Sequence, residues 1–144
     1  MATVIGVDPD SNKSGYAFYV DGKLTTLENW YLPELYNFLM FTDEEEKPIF
    51  SIENVLANNF IYQRNKQKNL ALQGKMGINV GRCQQAQQEI MRALDYFEWP
   101  YVLHKPMKGN WAKNKDEFKR VTGWKGQSNE ETRSAAFFGF LEVR

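Results

Sequence analysis

Along the chain the apolar positions change their period several times, and each change marks an element. Ile5-Gly6-Val7-Asp8 is an apolar run that ends on a carboxylate, and Pro9 to Asn12 is turn-forming. The run up to Val20, with Tyr16, Phe18 and Tyr19, is rich in side chains that favour strands. Together they predict a hairpin with an acid at its mouth. Asp21-Gly22 predicts a tight turn into a third strand, Lys23 to Asn29. Pro33 to Met40 carries apolar residues three and four apart behind an N-terminal proline, which predicts a short amphipathic helix. Pro48 to Glu53 reads as a strand that again ends on an acid. From Asn54 to Gly81 the pattern fades, and Gly74 and Gly77 favour flexibility. A long helix follows from about Val80 to Phe97, with Val80, Cys83, Ala86, Ile90, Leu94 and Phe97 on one stripe and glutamines, Arg82 and Arg92 on the other faces. Pro100 to His104 predicts a last strand, Trp111 to Val121 a helix, and Ser128 or Asn129 the start of a final helix with Ala135, Ala136, Phe138 and Leu141 as its apolar body.

Two of these elements place chemistry where packing does not explain it. An unpaired carboxylate at the end of a buried strand is costly unless a cation or hydrogen bonds compensate it. Asp8 is therefore either a turn cap or a ligand that needs a partner. Glu53 repeats the pattern. If its strand lies parallel beside the first, both acids project from one sheet edge, where a divalent cation relieves their repulsion. Glu130 and Glu131 fall in the first turn of the final helix, a position the helix dipole favours without any functional role. The small alanines beside them allow that helix to sit tightly on the sheet and carry its carboxylates toward Asp8 and Glu53.

Composition narrows the options. At 144 residues, residues 1–144 are expected to form one domain, and 42% hydrophobic with 15% aromatic content fits a soluble globular chain. No run is long enough to cross a bilayer and the start lacks the form of a signal peptide, so a cytoplasmic location without membrane contact is expected. A single cysteine, Cys83, and a single histidine, His104, exclude an internal disulfide and a Cys/His zinc cluster, so any metal must be held by oxygens. Cys83 reads as a buried small hydrophobe and His104 as structural.

Net charge is zero, but the charges are unevenly spread. Acids crowd into Asp43 to Glu46, whereas every charged residue between Glu53 and Glu89 is basic: Arg64, Lys66, Lys68, Lys75 and Arg82. A second basic cluster includes Lys105, Lys108 and Lys113. Such asymmetry predicts one face for a polyanion. Phe60 and Tyr62 alternate with amides and basic groups, the composition of a surface that stacks on bases and pairs with phosphates; equally, they are anchors of a loop.

An acid ending the first strand, a hairpin, a Glu ending the fourth strand, a long helix and a last helix with acids in its first turn resemble the ribonuclease H-like nucleases, and among them the RuvC-type Holliday junction resolvases. Ile5-Gly6-Val7-Asp8-Pro9 with Ser11 and Gly15-Tyr16-Ala17 resembles the opening motif of that family, and Ser51-Ile52-Glu53-Asn54-Val55 its second. Lys105-Pro106 with Trp111 and Lys113, then Asn129 to Ala136, are similar to late motifs of small resolvase relatives. The resemblance implies an α/β fold, a ribonuclease H-like mixed sheet of three antiparallel strands followed by parallel strands with helices on both faces. It also implies a metal-dependent endonuclease that resolves four-way junctions as a homodimer, using two Mg²⁺ ions for which Mn²⁺ can substitute. Asp8, Glu53 and Glu131, with Glu130 as the lesser candidate, would be its metal ligands, and Lys105 or Lys113 would offset charge at the reacting phosphate. Phe60, Tyr62, Arg64, Lys66, Lys68, Lys75, Arg82 and Lys108 would contact the DNA. Two departures stand out. Asp10 replaces a usual Gly, and Ser134 replaces the usual Asp of the last helix, so that Glu131, one turn earlier, supplies the carboxylate or the site is crippled, by nature or by substitution. Two further readings follow: a branched-DNA binding module without cleavage, and an actin-like nucleotide-binding relative.

Overall fold

The computed structural model describes residues 2–43, 45, 47–57 and 70–143, from the backbone alone over 70–77. Its centre is a five-stranded sheet in the order β3-β2-β1-β4-β5, built from β1 (Thr3–Asp8), β2 (Ser14–Val20), β3 (Lys23–Trp30), β4 (Ile49–Glu53) and β5 (Tyr101–His104). β1, β2 and β3 pair antiparallel, as the two turns predict. Asp21 and Gly22 have φ of 50° and 84°, the left-handed pair that a two-residue hairpin turn requires. β4 lies parallel to β1, and β5 parallel to β4.

Strand alternation divides the apolar residues between two faces. Ile5, Val7, Phe50 and Ile52 point to one side, where α1 (Leu32–Phe41) and α2 (Leu70–Tyr96) cover them with Leu35, Leu39, Ile90 and Leu94. Val4, Ala17, Tyr19 and Leu24 point to the other, under α4 (Glu130–Phe140), with Trp111 and Phe118 of the short helical turn Trp111–Lys113 and α3 (Lys115–Thr122) beside it. This is the mixed sheet with helices on both faces that the family resemblance implies.

Two helices depart from expectation. α2 begins at Leu70, ten residues before the expected start. Ala71, Leu72, Gln73, Lys75 and Met76 are strong helix formers, and together they outweigh the cost of about 1 kcal/mol for each of Gly74 and Gly77. The segment from Trp111 is broken at Asn114, whose side-chain oxygen accepts from the Glu117 amide and so starts a new helix. The stacking candidates Phe60 and Tyr62 and the basic Arg64, Lys66 and Lys68 lie outside the described residues.

α4 sits on the sheet almost backbone to backbone. A Cβ on Gly6 would collide with the Ala135 carbonyl and the Gly139 backbone, and one on Gly15 with the Glu131 carbonyl. The contact is fastened by hydrogen bonds from the Tyr19 hydroxyl to the Ala136 carbonyl at 2.6 Å and from the Ser51 hydroxyl to the Phe138 carbonyl at 2.7 Å. At the helix start, Asn129 accepts from the Thr132 amide while the Thr132 hydroxyl accepts from the Asn129 amide, closing a capping box.

Gly6→Ala should therefore lower the melting temperature. Overpacking of this kind costs about 1–3 kcal/mol, which corresponds to roughly 3–10 °C for a chain of this size. Gly81→Ala, in open space within α2, should raise it instead, since the methyl meets nothing and helical glycine is unfavourable. Thermal melts of the two variants beside the parent chain check both signs.

Candidate active site

The parallel register sets Gly6 beside Ser51 and Val7 beside Ile52, so Asp8 and Glu53 are the next pair along the two strands, on the face that α4 covers. Their carboxyl groups hydrogen-bond to each other. Above them, α4 lays Ser134 on Asp8, where its hydroxyl is a hydrogen-bond partner of the carboxylate. A cavity of about 270 Å³ opens from this point between α2 and α4, lined among others by Asp8, Asp10, Glu53, Cys83, Glu130 and Glu131.

Charge is out of balance there. Burial raises the Asp8 pKa well above its ordinary value, helped by the charge and hydrogen bond of Glu53 and by the charge of Asp10; the Ser134 hydroxyl acts in the opposite direction. Burial also raises Glu53, partly offset by its hydrogen bond with Asp8. The ion pairs of the described residues are Arg92 with Glu89, His104 with Glu142 and Arg120 with Glu117, none of which touches this cavity. The clustered carboxylates repel one another and, among the described residues, none of them is paired with a side-chain cation, a set that fits a hard dication. Asp8 and Glu53 meet directly, while Glu130 and Glu131 share their cavity at a greater remove. Among the described residues no three acidic, His or Cys side chains converge closely enough to form a ready-made cage.

The basic candidates separate. Lys108 and Lys113 line a larger hollow of about 530 Å³ that meets the first at Glu53 and Ala112. Lys105 is exposed beyond β5 and lines neither. Arg82 is exposed on α2 and lines a third hollow, and Lys75 lies in the part of α2 described by its backbone. Lys113 owes its position to Arg133, whose guanidinium donates twice to the Ala112 carbonyl, at 2.8 and 3.1 Å, and once to the Ser128 hydroxyl.

Several positioning residues are not apparent in the sequence. Gln87 is fully buried, donates to Asn54 Oδ1 at 2.9 Å and accepts from the Leu56 amide at 3.0 Å; Gln84 donates to the Val55 carbonyl. These glutamines, expected only to lie off the apolar stripe, clamp the chain that leaves Glu53. The available signal was spacing, since Gln87 falls four after Cys83 and three before Ile90. Cys83 belongs to the cavity more than to the core: it is half-buried, its Sγ lies 3.8 Å from Asp10 Oδ1, and burial with the nearby acids pushes the thiol up to about 11. A thiol so protonated is no nucleophile. His104 pairs with Glu142 at 2.9 Å, tying β5 to the chain beyond α4, which agrees with a structural role.

Comparison with solved structures identifies the fold. Over 97% of this chain and 91% of the other, T. thermophilus RuvC in complex with Holliday junction substrate superposes with a TM-score of 0.59 at 16% identity. The chain shares the RuvC fold. A second Thermus thermophilus RuvC structure covers 96% of this chain and 91% of its own, with a TM-score of 0.57 at 16% identity. No family model matches the sequence, and no curated protein matches it. No helix of the described residues is long and apolar enough to cross a membrane.

The raised carboxyls make a test independent of activity. A native group that holds its proton to higher pH than the unfolded chain loses stability as pH rises from the ordinary carboxylate range, about 4, through its raised value. In EDTA the melting temperature should fall over that interval, and Mg²⁺ should restore it most at the high-pH end. Asp8→Asn should flatten the profile and melt higher than the parent chain at neutral pH, as charge removal from a strained site predicts. Melts from pH 4 to 8 with EDTA or Mg²⁺ read all three.

Proposed function

We propose that the chain is a divalent-metal-dependent DNA endonuclease that acts on four-way junctions as a homodimer. The observation that carries this reading is the pair of hydrogen-bonded carboxylates, Asp8 and Glu53, without an ion-pair partner among the described residues, at the carboxyl ends of adjacent parallel strands in a RuvC fold. One of the RuvC structures sharing that fold holds a Holliday junction, which supports branched DNA as the substrate class.

In this reading Asp8 and Glu53 hold Mg²⁺, or Mn²⁺ in its place, with Glu131 as the third carboxylate and Glu130 as the lesser candidate. Bound ions supply activation of water and stabilisation of the departing oxygen in phosphodiester hydrolysis. The remaining roles belong to side chains. Lys113 and Lys108, along the hollow that meets Glu53, draw in the backbone and offset negative charge at the phosphate. Arg133 keeps the Lys113 turn in place through Ala112. Lys105, exposed outside both hollows, contributes to binding rather than to the reacting phosphate.

A second reading has its own support. Ser134 stands where the resemblance implies an acid, and it hydrogen-bonds Asp8. Serine is a weak ligand for a hard dication. A module that binds junctions without cutting them is consistent with that contact.

Incubating the protein with a four-way junction, duplex DNA and an RNA–DNA hybrid in Mg²⁺, Mn²⁺ or EDTA separates the readings. Junction cleavage with metal and none in EDTA is expected. Asp8→Asn and Glu53→Gln should each reduce the rate by about a hundredfold or more while leaving junction binding largely intact. Glu131→Gln should do the same, and unchanged cleavage would remove Glu131 from the ligand set. Binding that no metal converts to cutting would leave the second reading. An absence of junction binding would overturn both.

A further inference from the structure

Asp10 lies on the β1–β2 turn, just past Asp8, and the nuclease reading gives it no role. It lines the carboxylate cavity together with Asp8, Glu53 and Glu131. It also lines a second, polar hollow over the turn, shared with Asn12, Asn29, Asn129 and again Glu131. Asp10 and Glu131 therefore face two cavities in common, which sets the turn carboxylate opposite the start of α4. Gly15 permits that approach, since a Cβ there would collide with the Glu131 carbonyl.

The Asp10 side chain is held near the cavity but not neutralised. Its backbone amide donates to the hydroxyl of buried Ser14 at 3.1 Å, which ties the turn to the start of β2. The Cys83 thiol reaches Oδ1 at 3.8 Å, and a thiol is too weak a donor to satisfy a carboxylate. Lys13, the basic residue of the same turn, sits over the Tyr31 ring, 4.7 Å from its centroid. Among the described residues no ion pair includes Asp10.

Of the acids that share the cavity with Asp8 and Glu53, Asp10 is the one whose charge acts most strongly on Asp8, ahead of Glu130 and Glu131. On α4, by contrast, buried Ser134 brings a hydroxyl to Asp8 where the resemblance implies a carboxylate. A dication prefers charged oxygens, and its affinity follows the charge count of its ligands.

We propose that Asp10 is a metal ligand of this chain, joining Asp8, Glu53 and Glu131 and replacing the carboxylate that α4 lacks at Ser134. The proposal rests on the nuclease reading for the ion itself. Because no three of these groups form a ready-made cage, the ion must gather them. A side chain on a turn has freedom to close on it that the close-packed body of α4 does not.

The test measures Mn²⁺ binding to the full chain without DNA, from the loss of the free-ion EPR signal, at about 0.05 and about 0.5 M KCl. Asp10→Asn should weaken binding by about tenfold or more at both salt concentrations, because screening does not replace a lost ligand. In EDTA it should melt no lower than the parent chain, whereas a purely structural role would lower the melt. Asp10→Gly should weaken binding equally, and adding Ser134→Asp to it should recover the parent affinity to within about threefold. Asp8→Asn is the reference, since the nuclease reading requires it to lose binding. If Asp10→Asn binds within about twofold of the parent, or its defect vanishes at the higher salt, Asp10 is not a ligand; with Asp8→Asn defective, the nuclease reading stands. A folded double variant that recovers nothing overturns the replacement of Ser134, and if its melt in EDTA shows that it does not fold, Asp10→Asn decides alone. If the parent binds no Mn²⁺, or Asp8→Asn binds as well as the parent, the metal site of the nuclease reading fails first and Asp10 falls with it.

Discussion

The pairing of β1 with β4 fixes where two like charges must sit. Backbone hydrogen bonds hold Val4 to Val7 in register with Ile49 to Ile52, and side-chain alternation then leaves Asp8 and Glu53 no choice of face. A slip of one residue would send one carboxylate into the apolar side, among Ile5, Val7, Phe50 and Ile52, where burial would penalise it heavily. The hydrophobic core thus enforces the electrostatic strain of the site. Neither acid can move away from the other without breaking the sheet.

The remaining walls of the site are set from the two helical layers by different means. α4 approaches through the absence of side chains, at Gly6, Gly15 and Gly139, which brings Ser134 onto Asp8 and Glu131 beside the cavity. α2 acts through polar reach, with Gln84 and Gln87 holding the chain that leaves Glu53. The first contact is dry and close-packed, so it fixes position tightly. The second is a hydrogen-bonded clamp inside an otherwise apolar helix face, and its satisfied partners remove the cost of burying an amide.

How much of this was legible in the sequence follows from the kind of signal each element carries. β1, β2 and β4 were readable because apolar runs, aromatic alternation and a strand-ending acid are local patterns. α4 was readable because its alanines and first-turn acids have one simple meaning. The first ten residues of α2 were not, since Gly74 and Gly77 suggest a loop and only the summed propensity of their neighbours reverses that. Gln87 and Arg133 were hidden for a different reason. Their partners, Asn54 and Ala112, are 33 and 21 residues away, and a polar residue that serves a distant backbone looks like any surface residue until the fold brings the two together. Asp10 stands out in the sequence only as a departure from the usual Gly, because its place in the turn is a local signal and the effect of its charge on Asp8 is not.

Asp10 and Ser134 gain meaning as a pair. The resemblance implies glycine at the first position and aspartate at the second, so the chain carries one carboxylate fewer on α4 and one more on the β1–β2 turn. Both positions adjoin Asp8, and they act on it oppositely: the Asp10 charge raises its pKa while the Ser134 hydroxyl lowers it. A single exchange of Asp for Ser would have left the cavity poorer by one negative charge and weakened its pull on a dication. Asp10 lines the same cavity as Asp8, Glu53, Glu130 and Glu131, so its negative charge does not depend on α4 alone. The hydroxyl at Ser134 moreover favours the ionised form of Asp8, the form in which a carboxylate ligates.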